Sequence, residues 1–225
     1  LTYAVNELAD YKAFNLKIES GKYIFDVQTP SEILENIEFH LPGKHNVMNA
    51  LAAFAMADTY GIPLENIKLS LSTFKGVKRR FSYKIKNNNF VLIDDYAHHP
   101  TEINAVESSI REMYPEEKVL VVFQPHLFSR TRDFIDDFAT ALSKFDEILL
   151  LDIYPARELP IPGVNSKWLF NKIENKHKKL TQKNNLIKDI KNSSAKIVVM
   201  LGAGDIGEMI NDVTNQLLKP LKYED

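Results

Sequence analysis

No cysteine occurs among the 225 residues, which excludes a disulfide framework, thiolate metal ligation and covalent chemistry through a thiolate. Charge of one sign is equally scarce. Twenty-eight Lys and Arg stand against thirty Asp and Glu, a formal net charge of -2, so the chain offers no basic field for nucleic acid. Apolar runs such as Val119–Phe123 and Ile148–Leu151 are far too short to cross a bilayer, and no charged, apolar, small-residue leader opens the chain. A soluble, cytoplasmic protein is therefore expected, with neither a nucleic-acid nor a membrane partner. A further absence bears on chemistry: no glycine-rich loop ending in Gly-Lys-Ser/Thr is present to cradle nucleoside triphosphate phosphates. The chain also starts at Leu1 without an initiator methionine, and the expectation is the carboxyl-terminal part of a longer protein. Hydrophobic residues make up 44%, enough for one large core or two modest ones.

What is present concentrates at Asp94-Asp95-Tyr96-Ala97-His98-His99-Pro100-Thr101-Glu102, where two carboxylates, a phenol and two imidazoles share one strand-to-helix turn. Phe90–Ile93 reads as a buried strand, and Ile103, Val106, Ile110 and Met113 recur at helical spacing behind Pro100, which suits a first helical turn. The cluster should thus lie at the carboxyl end of a strand, where open α/β sheets bind ligands. A solvated acidic turn with incidental histidines is the plain alternative. Metal binding is a third reading, disfavoured because the adjacent His98 and His99 point apart and no helical His-x-x-x-His spacing exists, so no metal ligand is assigned.

Taken in order, the chain opens with alternating runs, Phe14–Ile18 and Tyr23–Val27, around Ser20-Gly21-Lys22; they predict a half-buried hairpin with Ile37–Leu41 as a third strand. A helix follows Pro42-Gly43, its apolar face Val47, Leu51, Phe54 and Ala55, and ends at Gly61. Asn46 and Asn49 sit three apart on its first turn, where carboxamides can cap the helix or read a purine edge. A shorter helix carries Leu64, Ile67, Leu71 and Phe74. The pattern changes across Lys75–Arg80, which divides the chain into 1–77 and 78–225. From Phe81 on, a hairpin and then alternating strands and helices predict a mostly parallel, Rossmann-like sheet with helices on both faces. Polar residues trail the strands: His126 and Arg130 after Phe123, Arg157 and Glu158 after Leu151, Asp205 after Leu201. All should gather near Asp95 and His98 at one sheet edge. Gly202-Ala203-Gly204-Asp205-Ile206-Gly207 matches the dinucleotide fingerprint in form, but it closes the last strand instead of opening a βαβ unit, so only a helix amino terminus suited to a carboxylate remains. The basic run Lys176-His177-Lys178-Lys179 reads as a solvated surface.

Leu41-Pro42-Gly43-Lys44-His45-Asn46-Val47-Met48-Asn49, Arg79-Arg80-Phe81, the Asp-Asp-Tyr-Ala-His-His-Pro-Thr-Glu turn, Gln124-Pro125-His126-Leu127-Phe128-Ser129-Arg130-Thr131, Tyr154-Pro155-Ala156-Arg157-Glu158 and Gly202-Ala203-Gly204-Asp205-Ile206 occur in that order. In this arrangement the chain, from about Leu41 onward, resembles the Mur ligases, ATP-dependent amide-bond formers of peptidoglycan synthesis. The resemblance implies that 1–77 closes a central α/β ATP-binding domain and that 78–225 is the amino-acid-binding ligase domain. It implies ATP and magnesium, with magnesium ligands mostly outside this chain, and the small-molecule substrates UDP-N-acetylmuramate and L-alanine. The lactyl carboxylate would attack the γ-phosphate of ATP, and the alanine amine would displace phosphate from the acyl phosphate.

Residue by residue, the resemblance assigns Asn46 and Asn49 to the base, Arg80 to the phosphates, Asp95 to the ribose or nucleotide orientation, and His126 and Arg130 to the alanine carboxylate. Tyr96 and His98 would line the amine's approach, with His98 a candidate proton acceptor. Leu127 stands where many family members carry an arginine, which removes a guanidinium from that position. Two other readings stay open: a sister ligase that adds a preformed peptide to the same sugar nucleotide, and a non-catalytic α/β module that binds a nucleotide or a partner. Without its ATP-cradling loop, the chain alone is expected to form no product.

Overall fold

The computed structural model describes residues 1–19 and 21–218; Ser20, part of the expected hairpin turn, and the last seven residues lie outside the described residues. The chain divides into two compact units, 1–76 with 108–115, and 77–107 with 116 onward.

In the first unit a four-stranded sheet has the order β1-β2-β3-β4, with β1 Tyr3–Val5, β2 Tyr11–Glu19, β3 Lys22–Gln28 and β4 Ile33–Phe39. The expected hairpin and third strand are there, but the phase of β2 is not the expected one. Asn15 adopts a left-handed φ of 54° at a register break between Phe14 and Lys17. Such a bulge moves later residues to the other face. Tyr11 and Ala13 are buried while Phe14, expected on the inner face with Leu16 and Ile18, is not fully buried and Ile18 is exposed. β3 keeps strict alternation, with Tyr23, Phe25 and Val27 inside. Helix α1, Lys44–Thr59, buries Val47, Ala50, Leu51, Phe54 and Ala55 against that face; α2, Leu64–Thr73, adds Ile67. Gly61, at φ 78°, ends α1 in a double closure: its N–H donates to Asp58 O and that of Ile62 to Ala57 O.

The second unit is a six-stranded sheet of order β5-β6-β10-β7-β8-β9, parallel throughout except for β5. Its strands are β5 Ser82–Lys86, β6 Val91–Asp95, β7 Val119–Phe123, β8 Glu147–Leu150, β9 Lys178–Leu180 and β10 Ile197–Leu201. β6, β7 and β10 are buried along their whole length, as continuous apolar runs covered on both faces must be. One face packs Leu92, Leu120, Val122, Val198 and Met200 on α7 (Leu186–Lys191) and α8 (Ile206–Leu218); on the other, Phe123 meets Phe138 of α5 (Ile135–Leu142). Helices α3 (Pro100–Met113), α4 (Phe128–Asp133) and α6 (Ser166–Lys172) complete the alternation.

The basic run is only in part the solvated surface expected. Lys178 and Lys179 belong to edge strand β9. Lys178 Nζ donates to the carbonyls of Phe170 and Ile173 at the end of α6, and Lys179 pairs with the largely buried Asp189 at 2.6 Å. Lysines on an edge strand also discourage pairing with another sheet. Among the described residues no helix is long and apolar enough to cross a membrane.

Candidate active site

In the second unit the parallel strands all finish at one edge, and because β5 runs antiparallel its leading residues, 79–81, start there too. Asp95 anchors this edge. The residue is 5% exposed, and its two carboxylate oxygens accept from the backbone N–H of Phe81 at 2.6 Å and of Ala97 at 2.7 Å. Burial raises its pKa, against the pull of those two N–H groups and of Arg80. The carboxylate expected on the nucleotide accepts one backbone N–H on each oxygen, and so ties together the segments carrying Arg80 and Tyr96. Asp94, 2% exposed, faces Arg79 Nε at 3.4 Å and Lys84 Nζ at 3.8 Å, and burial likewise raises its pKa.

Beyond Asp95 the rings form a chain. Tyr96 lies 5.2 Å from His98, His98 lies 5.9 Å from His126, and His126 stacks on Tyr154 at 5.7 Å. Guanidinium groups lie against two of these rings. Arg79 and Arg80 lie over the Tyr96 ring at 5.0 and 5.9 Å, and Arg130 Nη1 lies 3.3 Å from His126 Nδ1. Arg80, Asp95, Tyr96, His98, His126 and Arg130 therefore converge within one unit. Asn46 and Asn49 belong to the first unit. There Asn46 donates from Nδ2 to Pro42 O at 2.6 Å, tying α1 to the turn before it, and Asn49 is exposed on the next turn. Gly43 is the residue that precedes the helix, so neither carboxamide is its cap.

Hydrogen bonding sets the tautomers. His98 Nδ1 lies 2.8 Å from the Tyr96 carbonyl and 3.3 Å from Glu102 Oε2, groups that only accept, so Nδ1 carries a proton. His126 is the reverse: a guanidinium faces its Nδ1, which must accept, leaving the proton on Nε2. Burial, Arg130 and His98 together lower the His126 pKa below 6.5, which keeps the ring neutral at pH 7. His99 turns away onto Phe134, ring centroids 4.6 Å apart.

Two acids given no role of their own by the sequence organise the rim. Glu102 accepts from the N–H of His98 at 2.9 Å and of His99 at 3.2 Å and reaches Arg80 at 3.7 Å. Burial alone would raise its pKa, but the His98 N–H and ring, Arg80 and the His99 N–H outweigh this and lower it. Its place at the third position of α3 was the available signal. Glu158 accepts from Ser129 N at 3.0 Å and from Ser129 Oγ, so it serves the start of α4, while Arg157 is exposed on the loop. The start of α8 differs from expectation. Its first N–H groups are engaged: Ile206 N donates to Gln124 Oε1 at 3.0 Å, Gly207 N to Gly204 O and Glu208 N to Asp205 O. Asp205 itself is held by Gln124 Nε2 at 2.8 Å and by Lys183. Next to it, Gln124, Tyr154, Lys183 and Asp205 line an open cavity of about 530 Å³.

Residues 79–207, which hold this whole rim, match the family model described as Mur ligase, glutamate ligase domain. The chain belongs to the Mur ligase family. Residues 1–57 match a second model, the Mur ligase middle domain. A UDP-N-acetylmuramate--L-alanine ligase from Flavobacterium psychrophilum is 61% identical over 217 residues, covering 96% of this chain and 48% of that protein. The solved UDP-N-acetylmuramate-alanine ligase from Thermotoga maritima superposes with a TM-score of 0.79 at 28% identity, over 96% of this chain and 47% of that one. A murein peptide ligase from Psychrobacter arcticus, TM-score 0.61 at 20% identity over 97% of this chain and 46% of its own, shares the fold. This Mur ligase chain spans about half the length of the curated relatives it matches.

Proposed function

We propose that the chain is the carboxyl-terminal half of an ATP-dependent ligase that joins L-alanine to UDP-N-acetylmuramate in peptidoglycan synthesis. Residues 1–77 would close the ATP-binding domain and 78–225 would bind the amino acid. The observation that carries this reading is the convergence of Arg80, Tyr96, His98, His126 and Arg130 at one sheet edge. Such a rim meets the electrostatic needs of acyl-phosphate chemistry, in which anions are brought together and charge develops on phosphorus and carbon.

In the proposed reaction a carboxylate oxygen of the sugar nucleotide bonds to the γ-phosphorus of ATP and ADP leaves. The alanine nitrogen then bonds to the acyl carbon, phosphate leaves, and the amine proton passes to His98 Nε2. Arg80, whose side chain is 55% exposed and pairs only distantly with Glu102, has a guanidinium able to fork two phosphate oxygens. Arg130 and His126, the latter donating from Nε2, would hold the alanine carboxylate, and Tyr96 would wall the amine's path. Asn46 and Asn49 would meet the base, and Asp95 would act on the nucleotide through Arg80, whose segment it holds. Magnesium would accompany ATP, with its ligands expected mostly outside this chain, and no step is routed through it.

The test compares this chain with the full-length protein in ATP, magnesium and UDP-N-acetylmuramate. Phosphate release that depends on L-alanine is expected from the full-length protein only. Release by this chain alone, or a preference for a preformed tripeptide over alanine, would overturn the assignment, the latter in favour of the peptide-adding sister ligase.

A further inference from the structure

We propose that Arg79, which has no assigned role in the reaction, is a positioning residue that holds Tyr96 and Arg80 in place by locking their segment to the turn between β10 and α8. The proposal rests on the ligase reading above. Arg79 has a φ of 59°, a left-handed conformation that L side chains rarely adopt and that persists only where the surroundings over-determine it. Those surroundings grip it from every side. Its carbonyl accepts the Tyr96 N–H at 2.7 Å, and its guanidinium lies against the Tyr96 ring. Nη2 donates to the Gly202 carbonyl, and Nε faces the buried Asp94. With its side chain turned inward, the neighbouring Arg80 is directed outward to Glu102 and the open rim.

Space for the guanidinium comes from Gly207 in the first turn of α8. A Cβ there would come within 2.8 Å of Arg79 Nε and closer still to Cζ, and the atoms in its way are the far end of a flexible side chain. No positive φ demands glycine at this position, and alanine is the better helix former. Gly207→Ala should therefore displace the guanidinium without truncating Arg79, and any loss of stability should come from the partner that buried Asp94 loses.

The experiment measures alanine-dependent phosphate release by the full-length protein and its variants. Arg79→Ala and Gly207→Ala should each lower kcat on the order of tenfold or more, measured at a temperature where both variants remain folded. Arg79→Lys should not restore turnover, because an ammonium cannot make the forked contact to Gly202 and Asp94 together. The double variant should be no worse than Arg79→Ala. Wild-type kcat in Gly207→Ala, or a double variant whose loss is the product of the two single losses, would overturn the proposal. Hydrogen exchange of the peptide spanning Tyr96 to His98 gives a readout independent of turnover, so that failure of the ligase reading is not mistaken for failure of this one. Faster exchange in both single variants is expected; unchanged exchange in both would sink it.

Discussion

Among the described residues, and outside glycine, the left-handed backbone positions of the first unit are Asn6, Asn15 and Asn36, whereas those of the second are Arg79, Phe81, Leu127 and Ala156. Asparagine tolerates this conformation, and in β2 and β4 it sits where the register shifts. Arginine, phenylalanine, leucine and alanine do not tolerate it well, at about 1–2 kcal/mol each. All four lie beside site residues: Arg79 and Phe81 flank Arg80, Leu127 follows His126, and Ala156 follows Tyr154 by two. The first unit uses left-handed residues to shape a sheet at little cost. The second retains costly ones at the rim of the proposed site, the pattern expected when strain serves function.

The contrast breaks most sharply at Asp95. Asp95→Ala leaves two buried N–H groups, of Phe81 and Ala97, without an acceptor, and a loss of about 3 kcal/mol is expected in denaturant unfolding. A loss below 1 kcal/mol would mean that the left-handed Phe81 does not depend on that carboxylate. Next in size, Arg130→Ala in the full-length protein should reduce kcat/KM for alanine about a hundredfold, or about 2.7 kcal/mol of transition-state binding, with the thermal midpoint little changed; an unaffected kcat/KM would favour a non-catalytic module. In the first unit, Asn36→Ala should cost about 1 kcal/mol and Asn36→Gly only a few tenths. Equal effects from the two would show that the bulge is not a matter of backbone conformation.

The smallest effect concerns pH. Because the His126 pKa is lowered in the fold, the neutral ring contributes stability that is present above 6.5 and lost as pH falls through the folded value. His126→Gln should remove that dependence from the thermal midpoint measured between pH 7 and pH 5, and persistence of the full slope would assign it to another group.

Local pattern made the long elements legible. The faces of α1 and α3 and the buried runs β6, β7 and β10 follow from periodicity alone, and with them the edge at which the polar residues gather. Elements too short or too charged to show a period escaped: three-residue β1, six-residue α4 and β9, whose lysines read as surface. The break in alternation after Phe14 is not legible, because nothing local to a strand announces a bulge except Asn15 itself. The side-chain links of the rim are legible only in three dimensions. Gln124 reaches Ile206 and Asp205 across more than eighty residues, and Arg79 reaches Gly202 across more than a hundred. Pairing at such separations leaves no trace in spacing.

The direction of β5 has a consequence for how the chain can be rearranged. A five-residue strand spans about 16 Å, so a first strand laid parallel to its neighbours would deliver Arg79 and Arg80 to the far end of the sheet, away from Tyr96. Any permuted or redesigned version of this domain that keeps the five parallel strands but reverses the entry strand would retain the core and forfeit both guanidinium groups at once.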